Sequence, residues 1–441
     1  REGNDNMTKT VSFTTLGCKV NQYDTQAMLE CFERSGYTVV HGNAPADVYV
    51  VNTCTVTGTG DKKSMQLVRR VRRRNPQADV VVAGCLAQRL GAQLRESGAR
   101  LIIGNQHRAQ VVELLEKAIR EDTQIVAVDA LESIPYERLS IRRHEGHTRA
   151  VMKIQEGCDN RCTYCIIPSV RGPIRSRTLE DIRTEAQALS DAGFGELVLT
   201  GIHLTSYGRD LEGDITLLDG IRACIQPGIR RIRLGSLEPV IVTEEFVEQL
   251  KQTPVCPQFH LALQSGCDSV LKRMHRRGNK ADILRCIKGA RERGLTLRTS
   301  IIVGFPGETE EDFNLTVDFA KQARFLMIHV FPYSERRGTV AATLPGRVPE
   351  EIRHHRVREL SAVQAEIQKE ILNSYTDTAV SVLFETYTDG TAIGHTDTFV
   401  EVSCAAPHAL QSQTHTVYIT GNDGKQCFGT LCPQTKLTGG K

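Results

Sequence analysis

Three cysteines within eight residues, Cys158, Cys162 and Cys165 of Gly-Cys-Asp-Asn-Arg-Cys-Thr-Tyr-Cys, carry the plainest chemistry in this sequence. A C-x3-C-x2-C run can bring three thiolates to one point. A tetrahedral zinc site closes with a fourth Cys or His at short spacing, and none follows here. A [4Fe–4S] cube held by three thiolates instead leaves one iron open to a ligand that is not protein. A zinc knuckle short of one ligand, or a chance cluster, is the alternative at this point.

A second set is dispersed. Cys18 follows Thr-Leu-Gly, Cys54 follows Val-Val-Asn-Thr and Cys85 follows Val-Ala-Gly, at spacings of 36 and 31 residues. Each stands at the end of an apolar, β-branched run, just before a helical pattern begins. In doubly wound parallel sheets such strand ends converge on one crevice. One buried cysteine there would be unremarkable. The same position three times favours a second three-thiolate cluster. Cys31, Cys224, Cys256, Cys267, Cys286, Cys404, Cys427 and Cys432 share no such pattern and read as packing residues.

The elements that must position these thiols follow from periodicity. Strands at 10–17, 47–52, 79–84 and 101–104 alternate with helices, the first over 21–36 and the second running to Arg74. That βαβα order predicts an N-terminal doubly wound parallel α/β domain over 7–145. Strands at 150–155, 196–200, 231–236, 259–263, 296–303 and 326–331, with helices such as 179–192, 244–252, 281–293 and 310–323, predict a central partial (βα)6 barrel within 146–375. The C-x3-C-x2-C loop follows the first of these strands, on the carboxyl-end face where barrel sites form. Gly201, Gln264, Gly304 and Gly307 follow later strands on the same face and are candidates for binding a nucleoside-like ligand. A charged helix at 350–372 leads to strands at 379–385, 398–402 and 415–420. These predict a small all-β barrel over 376–441, of a kind that often binds RNA.

Composition narrows the class. The chain has 441 residues, 14 cysteines and a net charge of only +3. No apolar run approaches a membrane span and no secretory segment opens the sequence. Residues 1–6, ahead of Met7, read as foreign to the natural chain. Cysteine usage then points to a reducing cytoplasm and to metal ligation rather than disulfides. With little net charge, any nucleic-acid contact must be local. Arg69, Arg70, Arg72, Arg73 and Arg74, with Lys62 and Lys63, form one such patch, for which a solvated face is the alternative. Arg171, Arg175 and Arg177, just past the cysteine loop, are read as a second phosphate-facing set.

Together these features resemble the radical-SAM methylthiotransferases over nearly the whole chain. Thr-Leu-Gly-Cys18-Lys-Val-Asn-Gln, Asn52-Thr-Cys54-Thr-Val-Thr, Cys162-Thr-Tyr-Cys165-Ile-Ile-Pro, Arg171-Gly-Pro-Ile-Arg-Ser-Arg177 and His329-Val-Phe-Pro-Tyr-Ser-Glu-Arg-Arg-Gly338-Thr resemble most the group acting on N6-threonylcarbamoyladenosine of tRNA. Gly394-His-Thr-Asp-Thr-Phe-Val-Glu401 resembles a TRAM domain, although this module is poor in Lys and Arg. The resemblance implies two [4Fe–4S] clusters and S-adenosylmethionine. The Cys158/Cys162/Cys165 cluster would cleave S-adenosylmethionine to a 5′-deoxyadenosyl radical that activates C2 of the adenine at position 37. The Cys18/Cys54/Cys85 cluster would deliver the methylthio group. Implied partners are the tRNA anticodon loop, an electron donor such as flavodoxin or ferredoxin, and a sulfur source, with no membrane. The rivals are methylthiolation of isopentenyladenosine in tRNA, methylthiolation of a ribosomal protein aspartate, and an RNA-binding protein with a structural metal centre.

Overall fold

The computed structural model describes residues 8–42, 44–132, 134–144 and 146–433. Residues 1–6, the limit at Met7 and the end of the last expected segment fall outside that range.

Six parallel strands, β1 (Thr10–Thr15), β2 (Thr38–Val39), β3 (Val48–Thr53), β4 (Asp79–Gly84), β5 (Leu101–Ile103) and β6 (Ile125–Ala127), form the first sheet in the order β2-β1-β3-β4-β5-β6. The chain order reverses between β1 and β3, which makes that gap the switch point where ligands sit in doubly wound sheets. β3 and β4 are runs of valine buried on both faces, as a sheet covered by helices on both sides requires. β2 and β6 carry too few residues to show a period, and the sequence reading missed both.

Helix Gly58–Arg74 follows β3. Thr57 caps it by accepting the Gly60 N–H at 3.0 Å. It buries Ser64, Leu67, Val68 and Val71, an i, i+3, i+4, i+7 stripe that turns every arginine outward.

The central part is an open barrel built from two sheets. β7 (Ala150–Glu156), β8 (Arg175–Ser176), β9 (Glu196–Gly201) and β10 (Arg231–Leu234) order as β10-β9-β7-β8, with β8 antiparallel to β7. β11 (Ser236–Leu237), β12 (Gln258–Gln264), β13 (Thr296–Val303) and β14 (Met327–Pro332) follow in sequence order. The strand expected at 231–236 is therefore two strands. It breaks at Gly235, where the chain leaves one sheet for the other. Outward residues such as Met152, Ile232, Phe259, Leu297 and Ile328 pack under the helices in one large core. β13 alternates buried and half-buried residues along its whole length, so its other face lines the barrel interior.

Helix Glu350–Asn373 ties the barrel to the last domain, with Arg356 paired to Glu308 at 2.8 Å. β15 (Ala379–Thr388), β16 (Thr391–Thr396), β17 (Glu401–Ala405), β18 (Thr414–Asn422) and β19 (Cys427–Leu431) close a five-stranded barrel. Three strands were expected there. β16 and β19 were not, and residues 398–400 belong to a turn before β17. Glycines within β16 and β19 weaken the apolar alternation that would have revealed them.

Candidate iron–sulfur and substrate site

The Cys158 loop leaves β7 through Gly157, at φ +73°. A Cβ on Gly157 would stand 1.7 Å from the Pro173 carbonyl oxygen, so only glycine permits this turn. The Cys158 N–H then bonds the Gly172 carbonyl at 3.0 Å. Thr163 anchors the middle of the loop, donating its N–H to Met274 and its hydroxyl to Arg273, and accepting the Ala341 N–H. Arg276 points a guanidinium N–H at Cys162 Sγ, 3.6 Å away, while forking onto Glu238 at 2.8 and 2.6 Å. Burial pushes the Cys158 thiol up to about 11 and the Cys165 thiol up to about 12, and Cys162 raises both. Thiols so close that each resists its neighbour's ionisation suit a cationic ligand, whose binding would displace their protons.

The dispersed set assembles at the first sheet. Cys18 caps helix Lys19–Arg34 after β1, Cys54 follows β3, and Cys85 opens helix Cys85–Leu90 after β4. A Cβ on Gly17 would stand 3.1 Å from Cys54 Sγ, which measures how near the first two loops run. Gly84, at φ +91°, allows the third turn, since a Cβ would strike Asn52 Oδ1 at 2.3 Å. Burial raises the thiols of Cys18 and Cys54, and Cys85 adds to both, so all three share one field.

Arg171 joins the two sets. It is fully buried at the end of helix Ile167–Arg171, which begins two residues after Cys165. Its Nε donates to Cys85 Sγ at 3.1 Å. One terminal nitrogen meets Glu156 Oε1 at 3.0 Å and Asp24 Oδ2 at 3.1 Å, and the other bonds Asn21 Oδ1. Lys153 and Arg108 complete this buried network on Asp24 and Glu156. Burial alone would raise both carboxyls. Arg108, Lys153 and Arg171 overcome it, holding Asp24 below and Glu156 well below the usual carboxylate range. Cys85 also packs against Ile166, the residue after Cys165. The two cysteine sets therefore abut.

This corrects one expectation. Arg171, Arg175 and Arg177 are buried, not facing phosphate. Arg177 pairs with Glu185, and Arg175 bonds the Arg171 carbonyl at 2.5 Å. Their cationic run, read without Glu185 in the next helix and the distant Asp24, looks like a surface patch. Ser334 and Arg336 were also placed by motif alone. Ser334 accepts the Gly58 N–H and Arg336 pairs with Asp61 at 2.9 Å, bracing the Cys54 loop from the end of the central barrel.

Among the described residues no three Cys, His, Asp or Glu side chains converge tightly enough to grip one metal ion. A cube takes one thiolate on each of three separate irons and so needs a wider triangle. Buried guanidinium donors at Cys85 and Cys162 offset the negative charge such a group carries.

Of the expected nucleoside-binding residues, Gly201 lies against Gln155, and Gln264 adopts φ +76° at the end of β12. Gly304 makes room for Arg353, and Gly307 donates its N–H to Gly346, so both have packing reasons for being glycine. Arg69, Arg70, Arg72, Arg73 and Arg74 are all exposed. Arg72 donates to the Ala78 carbonyl, and none of the five has a carboxylate partner among the described residues. Arg69 and Arg73 border a groove of about 630 Å³ with Thr14, Leu16 and Lys63. Among the described residues no helix is long and apolar enough to cross a membrane.

Residues 152–320 match the Radical SAM superfamily and residues 10–104 match the uncharacterized protein family UPF0004. The threonylcarbamoyladenosine tRNA methylthiotransferase MtaB of Bacillus subtilis is 40% identical over 406 residues, 89% of this chain and 90% of that protein. The ribosomal protein uS12 methylthiotransferase RimO of Moorella thermoacetica is 36% identical over 381 residues, 85% of this chain and 88% of that protein. Among solved structures, the radical S-adenosylmethionine methyltransferase TsrM of Kitasatospora setae shares the fold, with a TM-score of 0.55 at 16% identity, covering 88% of this chain and 81% of that one. Radical-SAM membership carries with it S-adenosylmethionine and a [4Fe–4S] cluster. The chain belongs to the radical-SAM methylthiotransferase family.

Proposed function

We propose that this enzyme inserts a methylthio group at C2 of N6-threonylcarbamoyladenosine, beside the anticodon of tRNA, using two [4Fe–4S] clusters. Cys158, Cys162 and Cys165 would hold the first, and Cys18, Cys54 and Cys85 the second. What supports this most is the abutment of the two cysteine sets through Cys85, Ile166 and Arg171. A group generated at one set can then meet a substrate carbon presented beside the other. The clusters and S-adenosylmethionine supply radical generation and sulfur and methyl transfer, chemistry that no side chain here can perform.

The chain's own residues orient and enclose. Arg276 and Arg171 donate to cysteine sulfurs, Thr163 pins the loop, and the polar barrel interior receives the base. Gly201 and Gln264 border the mouth of that interior and are proposed to contact S-adenosylmethionine. The exposed arginines of helix Gly58–Arg74 would hold the tRNA backbone without reading sequence. An anticodon-loop base is already unpaired, so turning it into the site costs little.

The similarity to a ribosomal protein methylthiotransferase is only slightly lower, so the substrate needs its own support. The five exposed arginines favour a nucleic acid. Iron and sulfide analysis after anaerobic reconstitution tests the cluster assignment. Two cubes give about eight irons per chain, and Cys18/Cys54/Cys85→Ala should keep about half of them. That variant should still form 5′-deoxyadenosine with dithionite but no methylthio product. Product at the wild-type rate would return these three to packing residues.

A further inference from the structure

Three guanidinium groups inside the barrel converge on one aromatic ring. Arg149, Arg233 and Arg298 stand 5.4, 4.8 and 4.4 Å from the ring centre of Phe399, which the C-terminal barrel pushes into the base of the central one. Phe399 holds φ +68°, a backbone cost for a residue with a Cβ, and its ring stacks on His395 at 4.5 Å. Arg233 is paired with Glu196 at 2.6 Å, and Arg149 with Glu196 and Glu385.

Arg298 is different. It has no carboxylate partner among the described residues, and its terminal nitrogen meets only His329 Nε2, at 3.1 Å. Burial and Arg233 pull it down to about 10. A half-buried guanidinium under that pressure is costly until an anion arrives. His260 and His329 beside it are also pushed down, by burial and by Arg298, so they stay neutral and add no positive charge of their own. Arg149 directly precedes β7, whose other end carries the Cys158 loop, so this cationic group faces the same barrel interior as that loop.

We propose that this group is the subsite for the carboxylate that distinguishes N6-threonylcarbamoyladenosine from an alkylated adenosine, with Arg298 as its partner and Phe399 as the backing that holds the arginines in place. The inference rests on the substrate reading above and deepens it. A planar guanidinium fits carboxylate and phosphate alike, so the test must separate the modified base from the RNA backbone.

Binding of the holoenzyme to anticodon stem-loops carrying adenosine, N6-threonylcarbamoyladenosine or its methyl ester separates them, and the ester arm needs no variant. The free acid should bind wild type about tenfold or more tighter than the ester, the effect of a hydrogen bond between charged groups. Arg298→Gln should erase that difference while leaving affinity for the adenosine stem-loop within about twofold, and Arg298→Lys should restore part of it. Equal wild-type affinity for acid and ester overturns the inference. So does an equal loss for all three RNAs in Arg298→Gln, which would assign the group to backbone phosphate. The two readings fail separately. Methylthio product from the acid with no preference over the ester refutes only the carboxylate subsite. Product from an isopentenyladenosine stem-loop but none from the acid refutes the substrate reading as well.

Discussion

Replacing Arg171 by leucine tests whether the joint between the two cysteine sets is held by buried charge. Arg171 is fully buried and contacts Asp24, Glu156, Asn21 and Cys85 at once. At an effective dielectric of about 20, two unit charges about 4 Å apart interact by about 4 kcal/mol. Losing the guanidinium also removes its own desolvation cost, and Lys153 and Arg108 still face the two carboxylates. A net destabilisation of about 3 kcal/mol follows, at the low end for breaking one partner out of a buried ionic group. Urea unfolding at pH 7 and again at pH 4 or below measures it.

The pH dependence has a definite sign. Asp24 and Glu156 have folded pKa values below their unfolded ones, so their contribution is fully present above the ordinary carboxylate range. It is lost as pH falls from there toward the folded values. The gap between wild type and Arg171→Leu should therefore be widest at neutral pH and narrow in acid. A difference of less than about 0.5 kcal/mol at pH 7, the size of an ordinary surface change, would show that Arg171 is not held by the buried charges.

Other outcomes follow from the same geometry. His144 accepts the Val151 N–H through Nδ1, and burial pulls it down to about 3. Its folded pKa lies below the unfolded value of about 6.5, so stability should fall as pH drops below about 6.5, and His144→Gln should flatten that slope in thermal melts. Changing Arg69, Arg70 and Arg73 to glutamine should weaken cognate and non-cognate tRNA alike, with log affinity losing about one unit of salt slope per phosphate contact. Gly157→Ala should prevent the Cys158 loop from closing, and anaerobic reconstitution should show lost iron, because the added Cβ would overlap the Pro173 carbonyl. Arg276→Met should weaken retention of the same iron, since it removes the donor to Cys162.

The strands that carry cysteines were legible because they are long, β-branched and end in Gly-Cys or Thr-Cys. β2 and β6 are two and three residues long and leave no period to read. The break between β10 and β11 escaped because one glycine in a polar–apolar run looks like any strand residue. Arg171 was visible as a residue but not as a role. Its partners Asp24 and Asn21 lie more than a hundred residues away, in a helix that reads as an ordinary solvated amphipath. Phe399 was likewise quoted within a motif, yet its three arginines come from β10, β13 and the residue before β7. Contacts of that range follow from topology, which local spacing does not encode.

Nucleoside mass spectrometry of tRNA decides the substrate most directly. The reconstituted enzyme, S-adenosylmethionine and a one-electron donor are incubated with tRNA bearing N6-threonylcarbamoyladenosine at position 37. This nucleoside should be replaced by its 2-methylthio derivative, with isopentenyladenosine-bearing tRNA left unchanged. Turnover of S-adenosylmethionine without that product, alongside methylthiolation of the isopentenyl nucleoside or of a ribosomal protein, would contradict this substrate assignment.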